Sequence, residues 1–164
     1  MTPAAPSSTS ANSETVAGPA LPPGYALREF TLADFETATA LWRVSEGVGL
    51  NEADSREGIT LFLTRNPGLS VVVTAADGTL VAAVLCGHDG RRGYLHHLAV
   101  AKSHRGRGLG SAIVRDCLSR LRRAGIQKCN IFLYATNAAG REFWLHQRWT
   151  SRGDLVVLQR STGA

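Results

Sequence analysis

Residues 105–110 alternate two arginines with three glycines, between an apolar run and a stretch of helical periodicity. Glycine lets the backbone approach an anion closely and adopt a positive φ without penalty. A helix that begins here presents unpaired N–H groups and the positive end of its dipole. Arginine adds forked donors that match phosphate oxygens. The segment therefore predicts a binding site for a pyrophosphate or a similar anion.

Two familiar nucleotide-binding motifs do not describe this loop. The sequence has no G-x-x-x-x-G-K-[ST], and the glycines follow G-x-G-x-G instead of G-x-G-x-x-G. The strand expected next, 128–134, carries no acid for a ribose hydroxyl. A solvated turn and an arginine-rich nucleic-acid contact, continued by residues 120–123, are the alternatives. No aromatic side chains are interleaved with these arginines, as a base-stacking surface would require.

Two adjacent histidines, His96 and His97, precede the loop in an apolar, extended segment. An imidazole titrates near pH ~6.5, so either side chain can accept a proton during catalysis. In a regular strand, adjacent side chains point to opposite faces. His96 then shares its face with Tyr94 and Leu98. The pattern predicts that only one of the two imidazoles faces a cleft.

The composition is that of one globular domain with an N-terminal leader. Residues 1–24 contain five of the six prolines and one charged side chain, which predicts a disordered leader before a single domain over 25–164. The net charge of +5 favours an anionic partner. Three cysteines without a C-x-x-C pair predict a reducing, cytoplasmic compartment and no metal site. No apolar run is long enough to cross a bilayer.

Periodicity predicts the order β-α-α-β-β-β-α-β-α-β over residues 25–160, a mixed α/β sheet with helices on both faces. The Asp77-Gly78 pair marks a hairpin between two apolar strands. Apolar residues recur at helical spacing over 109–121, so an amphipathic helix follows the glycine-rich loop directly. Segment 149–160 predicts a closing strand or hairpin.

These features together resemble the GCN5-related N-acetyltransferase (GNAT) superfamily over nearly all of the chain after the leader. Its acetyl-CoA signature, [Q/R]-x-x-G-x-[G/A], matches Arg105, Gly108 and Gly110. Its N-x-x-A-x-x-F-Y-x-x-x-G-F segment resembles residues 137–149. Within the superfamily, the chain is most similar to small bacterial ribosomal-protein acetyltransferases. The resemblance implies the GNAT fold and acetyl-CoA as co-substrate. The cofactor-binding residues that it implies are Leu98, Ala99, Val100, Arg105, Gly106, Arg107, Gly108, Leu109, Gly110, Ser111, Asn137 and Trp144.

The resemblance also implies the reaction: direct attack of a primary amine on acetyl-CoA within a ternary complex. A backbone N–H of residues 98–100 would bind the thioester carbonyl oxygen. Related enzymes carry basic side chains at the positions of Tyr94 and His96, so His96 is the predicted base. The family's general acid is a tyrosine where this chain has Trp144, and an indole N–H is no general acid. Tyr134 and Tyr94 are the substitutes, unless the thiolate leaves without an acid.

On the acceptor side, the resemblance implies that the first two helices and their loop form the wall of the amine site. Glu46 and Glu52 belong to an acidic stretch that would attract a cationic amine, and Trp42 adds apolar area. The acceptor is a small-molecule, peptide or protein amine, and the chain is compatible with a homodimer. The alternatives are a non-catalytic acyl-CoA-binding regulatory module and, with least support, a nucleic-acid-binding domain.

Overall fold

The Asp77-Gly78 turn joins two strands of a five-stranded sheet, as its sequence predicts. The computed structural model describes residues 21–163. Gly78 has a φ of +83°, its N–H donates to the Ala75 carbonyl at 2.9 Å, and Asp77 Oδ1 accepts from the Thr79 N–H at 2.9 Å. Because this left-handed position favours glycine, the Asp-Gly pair closes the hairpin without strain.

The strands lie side by side in chain order, and all neighbours are antiparallel except the last pair, which is parallel. They are β1 (Tyr25–Glu29), β2 (Val71–Ala75), β3 (Leu80–His88), β4 (Gly93–Val100) and β5 (Cys129–Ile131). A parallel pair needs a crossover connection, and a helix supplies it here.

Four helices cover the two faces of this sheet: α1 (Phe35–Arg43), α2 (Arg56–Arg65), α3 (Leu109–Arg123) and α4 (Ala138–His146). Alternate residues of β2 separate two cores. Val71 and Val73 pack on the face of α3 and α4, and Val72 packs on the face of α1 and α2. Because both faces are covered, β3 is buried almost from end to end. The predicted mixed α/β class with helices on both faces is confirmed.

The predicted closing strand is wrong. Residues 149–160 form no strand, and Leu155, Val156, Val157 and Leu158 are 61–91% exposed. The physical reason lies in the neighbouring edge, because β5 has three residues instead of the seven expected over 128–134. So short an edge offers few backbone partners, and the consecutive apolar residues 155–158 have no face to bury against. The observed order therefore ends with α4.

Most of the predicted leader, residues 1–20, lies outside the described residues. The described chain begins with Leu21, which packs against the core on the α3 face. Among residues 21–163, none of the helices combines the length and the apolar character needed to cross a membrane.

The three cysteines are free thiols in apolar surroundings. Burial raises the pKa of Cys129 to about 12. A hydrogen bond with the Cys86 thiol, together with burial, raises the pKa of Cys117 well above its ordinary value. Because the thiolate is the reactive and metal-binding form, neither group is a nucleophile at neutral pH. The described part of the chain holds no cluster of three or more His, Cys, Asp or Glu suited to a metal ion.

Strand β4 is irregular on both of its edges. Along β3, Leu85 pairs with His96 and Ala83 pairs with Ala99. Between these two pairs, one β3 residue lies opposite two β4 residues, which is a β-bulge. Along β5, pairing stops at Leu95–Ile131, so the last five residues of β4 have no partner in β5. Parallel strands that stop pairing leave an opening between them. The bulge and this opening occur at the same point of the strand.

An ion pair with a buried carboxylate ties β1 to the start of α1. Asp34 accepts two hydrogen bonds from the Arg28 guanidinium, at 2.6 and 2.7 Å, and one from the Thr31 N–H at 2.9 Å. Its side chain is 9% exposed. The hydrogen bonds from Arg28 lower the pKa of Asp34. The carboxylate thereby forms half of a capping box at the first helical turn.

We expect Asp34→Asn to lower the free energy of unfolding by about 1–3 kcal/mol at pH 7, since charge-assisted hydrogen bonds of a buried carboxylate are lost. Because the pKa of folded Asp34 is lowered, its contribution is present above the unfolded pKa of ~3.9 and is lost as the pH falls further. Urea denaturation at pH 7 and pH 3 measures both effects.

Asp154→Asn is the matched control, because Asp154 pairs with Arg152 in the same two-bond geometry on the exposed surface. We expect no measurable change there, since exposed ion pairs contribute little. Equal losses from the two variants would contradict the role given to the Arg28–Asp34 pair.

Candidate functional site

The glycine-rich segment forms a loop, here called the glycine loop (residues 105–110), that leads from β4 into α3. Gly106 and Gly108 have φ values of +73° and +78°, conformations that favour glycine. No atom lies within 4 Å of where a Cβ would stand on either residue, so the outer side of the loop is open. Gly108 is the N-cap of α3, and the N–H groups of the first turn have no carbonyl partner within the helix. The start of α3 therefore presents backbone N–H groups on an open side of the loop.

The remaining predicted residues of the loop support it from behind. Leu109 is buried in the core on the α3 face, and the Ser111 hydroxyl accepts a hydrogen bond from Gln147 at 2.8 Å. A Cβ at Gly110 would lie 3.3 Å from the ring of Phe143, so glycine permits α4 to pack against this turn. These contacts hold the start of α3 in place.

The two arginines of the loop differ in their contacts. Arg105 Nε donates to the Val100 carbonyl at 3.0 Å, and its Nη1 donates to Glu46 at 3.3 Å. Arg107 is exposed and reaches only the Ser103 carbonyl, at 3.5 Å, among the described residues. Hydrogen bonds from Arg105 and then Lys102 lower the pKa of Glu46. The structure thus places Glu46, predicted to contact the acceptor, beside the glycine loop.

The loop between α1 and α2 (the α1–α2 loop, residues 44–55) crosses to the far side of the β4–β5 opening. A Cβ on Gly47 would lie 1.9 Å from Asn137 Nδ2, and a Cβ on Gly49 would lie 2.1 Å from Tyr134 Oη. Glycines at 47 and 49 therefore permit the loop to touch the segment that follows β5. Sequence reasoning missed this contact, because glycines in a loop have many uses.

Asn137 and Tyr134 consequently border the same opening. Asn137 caps α4 by accepting a hydrogen bond from the Gly140 N–H at 2.8 Å. Tyr134 is 60% exposed next to the α1–α2 loop. Tyr94 is near the start of β4, where its hydroxyl donates to Asp89 at 3.3 Å and its ring stacks on Phe132. Of the two predicted proton donors, Tyr134 is the one in contact with the α1–α2 loop.

Trp144 packs within the group of aromatic side chains on the α3 face. Its ring meets Phe143 and Trp149 edge to face, with centroids 5.1 and 4.8 Å apart. Trp42, predicted to contact the acceptor, is 0% exposed in the opposite core, so it presents no surface to a substrate. Glu52 is exposed on the α1–α2 loop.

The prediction that the two histidines point to opposite faces is wrong. The bulge adds a residue to β4, and both imidazoles consequently lie on the face of α1 and α2. The His96 ring contacts Phe62 of α2, with centroids 5.8 Å apart, and the His97 ring contacts Trp42 of α1, with centroids 5.3 Å apart. Leu98, expected to share a face with His96, packs instead against the α3-side core.

His97 has a close carboxylate partner that the sequence did not single out. Its Nε2 lies 2.6 Å from Asp54 Oδ1, and both side chains are largely buried, with 15% and 9% exposed. The other Asp54 oxygen accepts a hydrogen bond from the Asn51 N–H at 2.9 Å. The two residues are 43 positions apart, and Asp54 is one acid among several in its stretch of sequence.

Comparison with known proteins identifies related chains. The sequence model described as the acetyltransferase (GNAT) family matches residues 32–147. An acetyltransferase of Yersinia pestis (strain Pestoides F) is 32% identical over 113 residues, which cover 69% of this chain and 79% of that protein. An acetyltransferase of Sodalis glossinidius is 30% identical over 113 residues, covering 69% and 78%.

Solved structures share the fold. Ard1 from Thermoplasma volcanium superposes with a TM-score of 0.66 at 20% identity, covering 75% of this chain and 80% of that one. The PaiA N-acetyltransferase from Thermoplasma acidophilum, solved in complex with coenzyme A, has a TM-score of 0.64 at 18% identity, covering 74% and 87%. At these identities the structural likeness shows the fold alone, and the fold agrees with the sequence match.

The environment of His96 makes stability depend on pH. Burial lowers the pKa of His96, and the neighbouring His97 lowers it further. Below pH ~6.5 the unfolded chain therefore takes up a proton that the folded chain resists, and stability falls as the pH falls. We expect His96→Gln to reduce this decline when urea denaturation at pH 8 and pH 5.5 is compared.

The exposed His146 provides the control, since His146→Gln should leave the decline of the wild-type chain unchanged. A His96→Gln variant that loses as much stability between pH 8 and pH 5.5 as the wild-type chain would contradict the effect of burial.

Proposed function

The chain belongs to the acetyltransferase (GNAT) family, whose chemistry is acyl transfer from acetyl-CoA, and from this premise we propose that the acceptor is a primary amine. The amine attacks the thioester directly while both substrates are bound. The observation that carries the proposal is the open glycine loop, with left-handed glycines at 106 and 108, separated only by residues 101–104 from the five β4 residues without a β5 partner. The open glycine loop suits a pyrophosphate, and the β4 residues without a strand partner suit an extended arm that contains amides.

The described residues fit acetyl-CoA along this path. The pyrophosphate would bind to the N–H groups of the glycine loop and the first turn of α3, with Arg105 and Arg107 at the rim. The pantetheine arm would hydrogen-bond to the backbone of β4 on the side without a β5 partner, through Leu98, Ala99 and Val100. Asn137 and Trp144 would line the side formed by α4. Arg105 is already oriented by its hydrogen bond to the Val100 carbonyl.

The reaction requires that a neutral amine reach the thioester. The amine nitrogen donates its lone pair to the carbonyl carbon, and a backbone N–H of residues 98–100 stabilises the negative charge that develops on the carbonyl oxygen. The carbon–sulfur bond then breaks, and the CoA thiolate departs with the electron pair. The amine gives up one proton, and two imidazoles, His96 and His97, lie on the face of β4 nearest the α1–α2 loop.

Tyr134 is the proton donor that we propose for the departing thiolate. Its phenol lies at the β4–β5 opening beside Gly49, whereas Trp144 has no acidic proton to give. The thiolate can also leave without an acid, since thiols of this kind titrate near pH ~8.5. Tyr134→Phe separates the two routes, because it removes only the hydroxyl.

On the acceptor side, Glu52 supplies negative charge on the exposed surface of the α1–α2 loop, which favours a cationic amine, whether free, in a peptide or in a protein. Three unpaired thiols support a reducing, cytoplasmic setting. The arginines at 120–123 give little support to nucleic-acid binding, because Arg120 is engaged by Asp116 and by the Gly68 carbonyl at 2.7 Å.

Binding of acetyl-CoA is tested by thermal denaturation. We expect acetyl-CoA to raise the melting temperature. At a concentration a hundred times Kd, ligand binding stabilises the folded state by about 2.7 kcal/mol. Gly108→Glu should abolish this rise, because a carboxylate would stand where the pyrophosphate binds. Gly125→Glu is the matched control: it has the same left-handed φ and open space, at the other end of α3. Loss of the rise in both variants, or in neither, would contradict the assigned binding site.

Turnover is tested by thiol release from acetyl-CoA with a panel of amines: alkyl diamines, amino-acid amides, and peptides with a free N-terminus or a lysine. We expect release that depends on the amine and that equals the acetylated amine formed. Tyr134→Phe should lower kcat while leaving the acetyl-CoA melting shift unchanged. Binding of acetyl-CoA without turnover of any amine would instead favour the non-catalytic acyl-CoA-binding module, which the replacement of tyrosine by Trp144 suggests.

A further inference from the structure

His97 has a backbone conformation that side-chain-bearing residues rarely adopt. Its φ is +54°, and among the described residues other than glycine only Arg148 also has a positive φ. His97, however, lies in the middle of a strand. The bulge that produces this conformation turns the imidazole onto the face of α1 and α2. Local strain of this kind persists only where surrounding structure enforces it, and it is concentrated at functional sites.

The Asp54 carboxylate enforces the orientation of the ring. One oxygen lies 2.6 Å from His97 Nε2, and the other is held by the Asn51 N–H. A carboxylate only accepts hydrogen bonds, so Nε2 carries the hydrogen and donates it. The remaining nitrogen, Nδ1, then has a free lone pair. The pair therefore presents a base whose tautomer is determined by Asp54.

The position of His97 along β4 matches the place where an amine must lose its proton. His97 is two residues beyond the last β4–β5 pair, Leu95–Ile131, and directly precedes the residues proposed to hold the thioester, 98–100. Its partner Asp54 belongs to the α1–α2 loop, which reaches the opening through Gly49. The base and the thioester segment are thus consecutive in one strand.

His96 is the competing base, and its contacts are different. Its ring lies between Phe62 and Tyr94, with centroids 5.8 and 6.1 Å away, and no carboxylate of the described chain hydrogen-bonds to it. The charged or titratable groups that face His97 are Asp54 from the α1–α2 loop and His96 from its own strand, while α1 contributes the Trp42 ring. Burial, together with the neighbouring His97, lowers the pKa of His96 and so opposes positive charge there.

We propose that His97 Nδ1 accepts the proton of the attacking amine and that Asp54 is the positioning residue for His97. This inference rests on the proposed acetyl transfer. As the nitrogen–carbon bond forms and the carbon–sulfur bond breaks, the proton moves from the amine to Nδ1, directly or through one water. Asp54 stabilises the resulting imidazolium, which then releases its proton to solvent and restores the neutral ring.

The experiment compares pH profiles of kcat/KM for the amine that the wild-type chain acetylates fastest in the panel. We expect His97→Gln to lower kcat/KM about 10²- to 10³-fold and to remove the acidic limb of the profile. Asp54→Asn should lower kcat/KM at least about tenfold and shift that limb, because the ring loses its determined tautomer. Both variants should keep the melting shift caused by acetyl-CoA. The exposed His146→Gln serves as the control and should match the wild-type chain.

Other outcomes would contradict the inference in distinguishable ways. An active His97→Gln variant with an unchanged acidic limb would overturn it and leave the proposed function intact. The inference is equally overturned if His96→Gln, and not His97→Gln, removes the limb. A purely structural role for the pair would show as loss of the acetyl-CoA melting shift in Asp54→Asn. Wild-type protein that acetylates no amine would overturn the proposed function and this inference together.

Discussion

The candidate site depends on how the backbone of β4 is hydrogen-bonded. The strand pairs with β3 along its length, but with β5 only as far as Leu95–Ile131. Backbone N–H and C=O groups left without a strand partner need another one, and an amide-containing ligand can supply it. The same point of the strand carries the bulge that turns His97. Binding of acetyl-CoA and proton transfer would therefore both follow from one interruption of the sheet.

The α1–α2 loop joins parts of the site that come from distant regions of the sequence. Glu46 reaches Arg105 and Lys102 beside the glycine loop, and Asp54 reaches His97 on β4. Between them, Gly47 and Gly49 lie against the segment after β5. A loop held at three places has few conformations open to it, so the groups that it positions are ordered before a substrate arrives.

Sequence patterns predicted well wherever local chemistry decides the structure. The Asp77-Gly78 turn, the amphipathic α3 and the glycine loop each depend on residues within a few positions of one another. Segment 149–160 shows the opposite case: its run of β-branched and other apolar residues suits a strand, but a strand also needs an edge, and β5 ends at Ile131. The prediction for Trp42 failed in a similar way, since an aromatic side chain before a loop suits a binding surface and a core equally well.

By itself, the sequence determined the mixed α/β class, the glycine-rich loop at the start of α3 and the resemblance that led to acetyl-CoA. Only the tertiary structure decided that His96 and His97 share a face, because one added residue in a strand reverses the side-chain alternation that follows it. It also decided that Asp54 is the partner of His97 and that Tyr134 contacts the α1–α2 loop. Contacts between residues 43 positions apart depend on how the elements pack, and no local pattern encodes that.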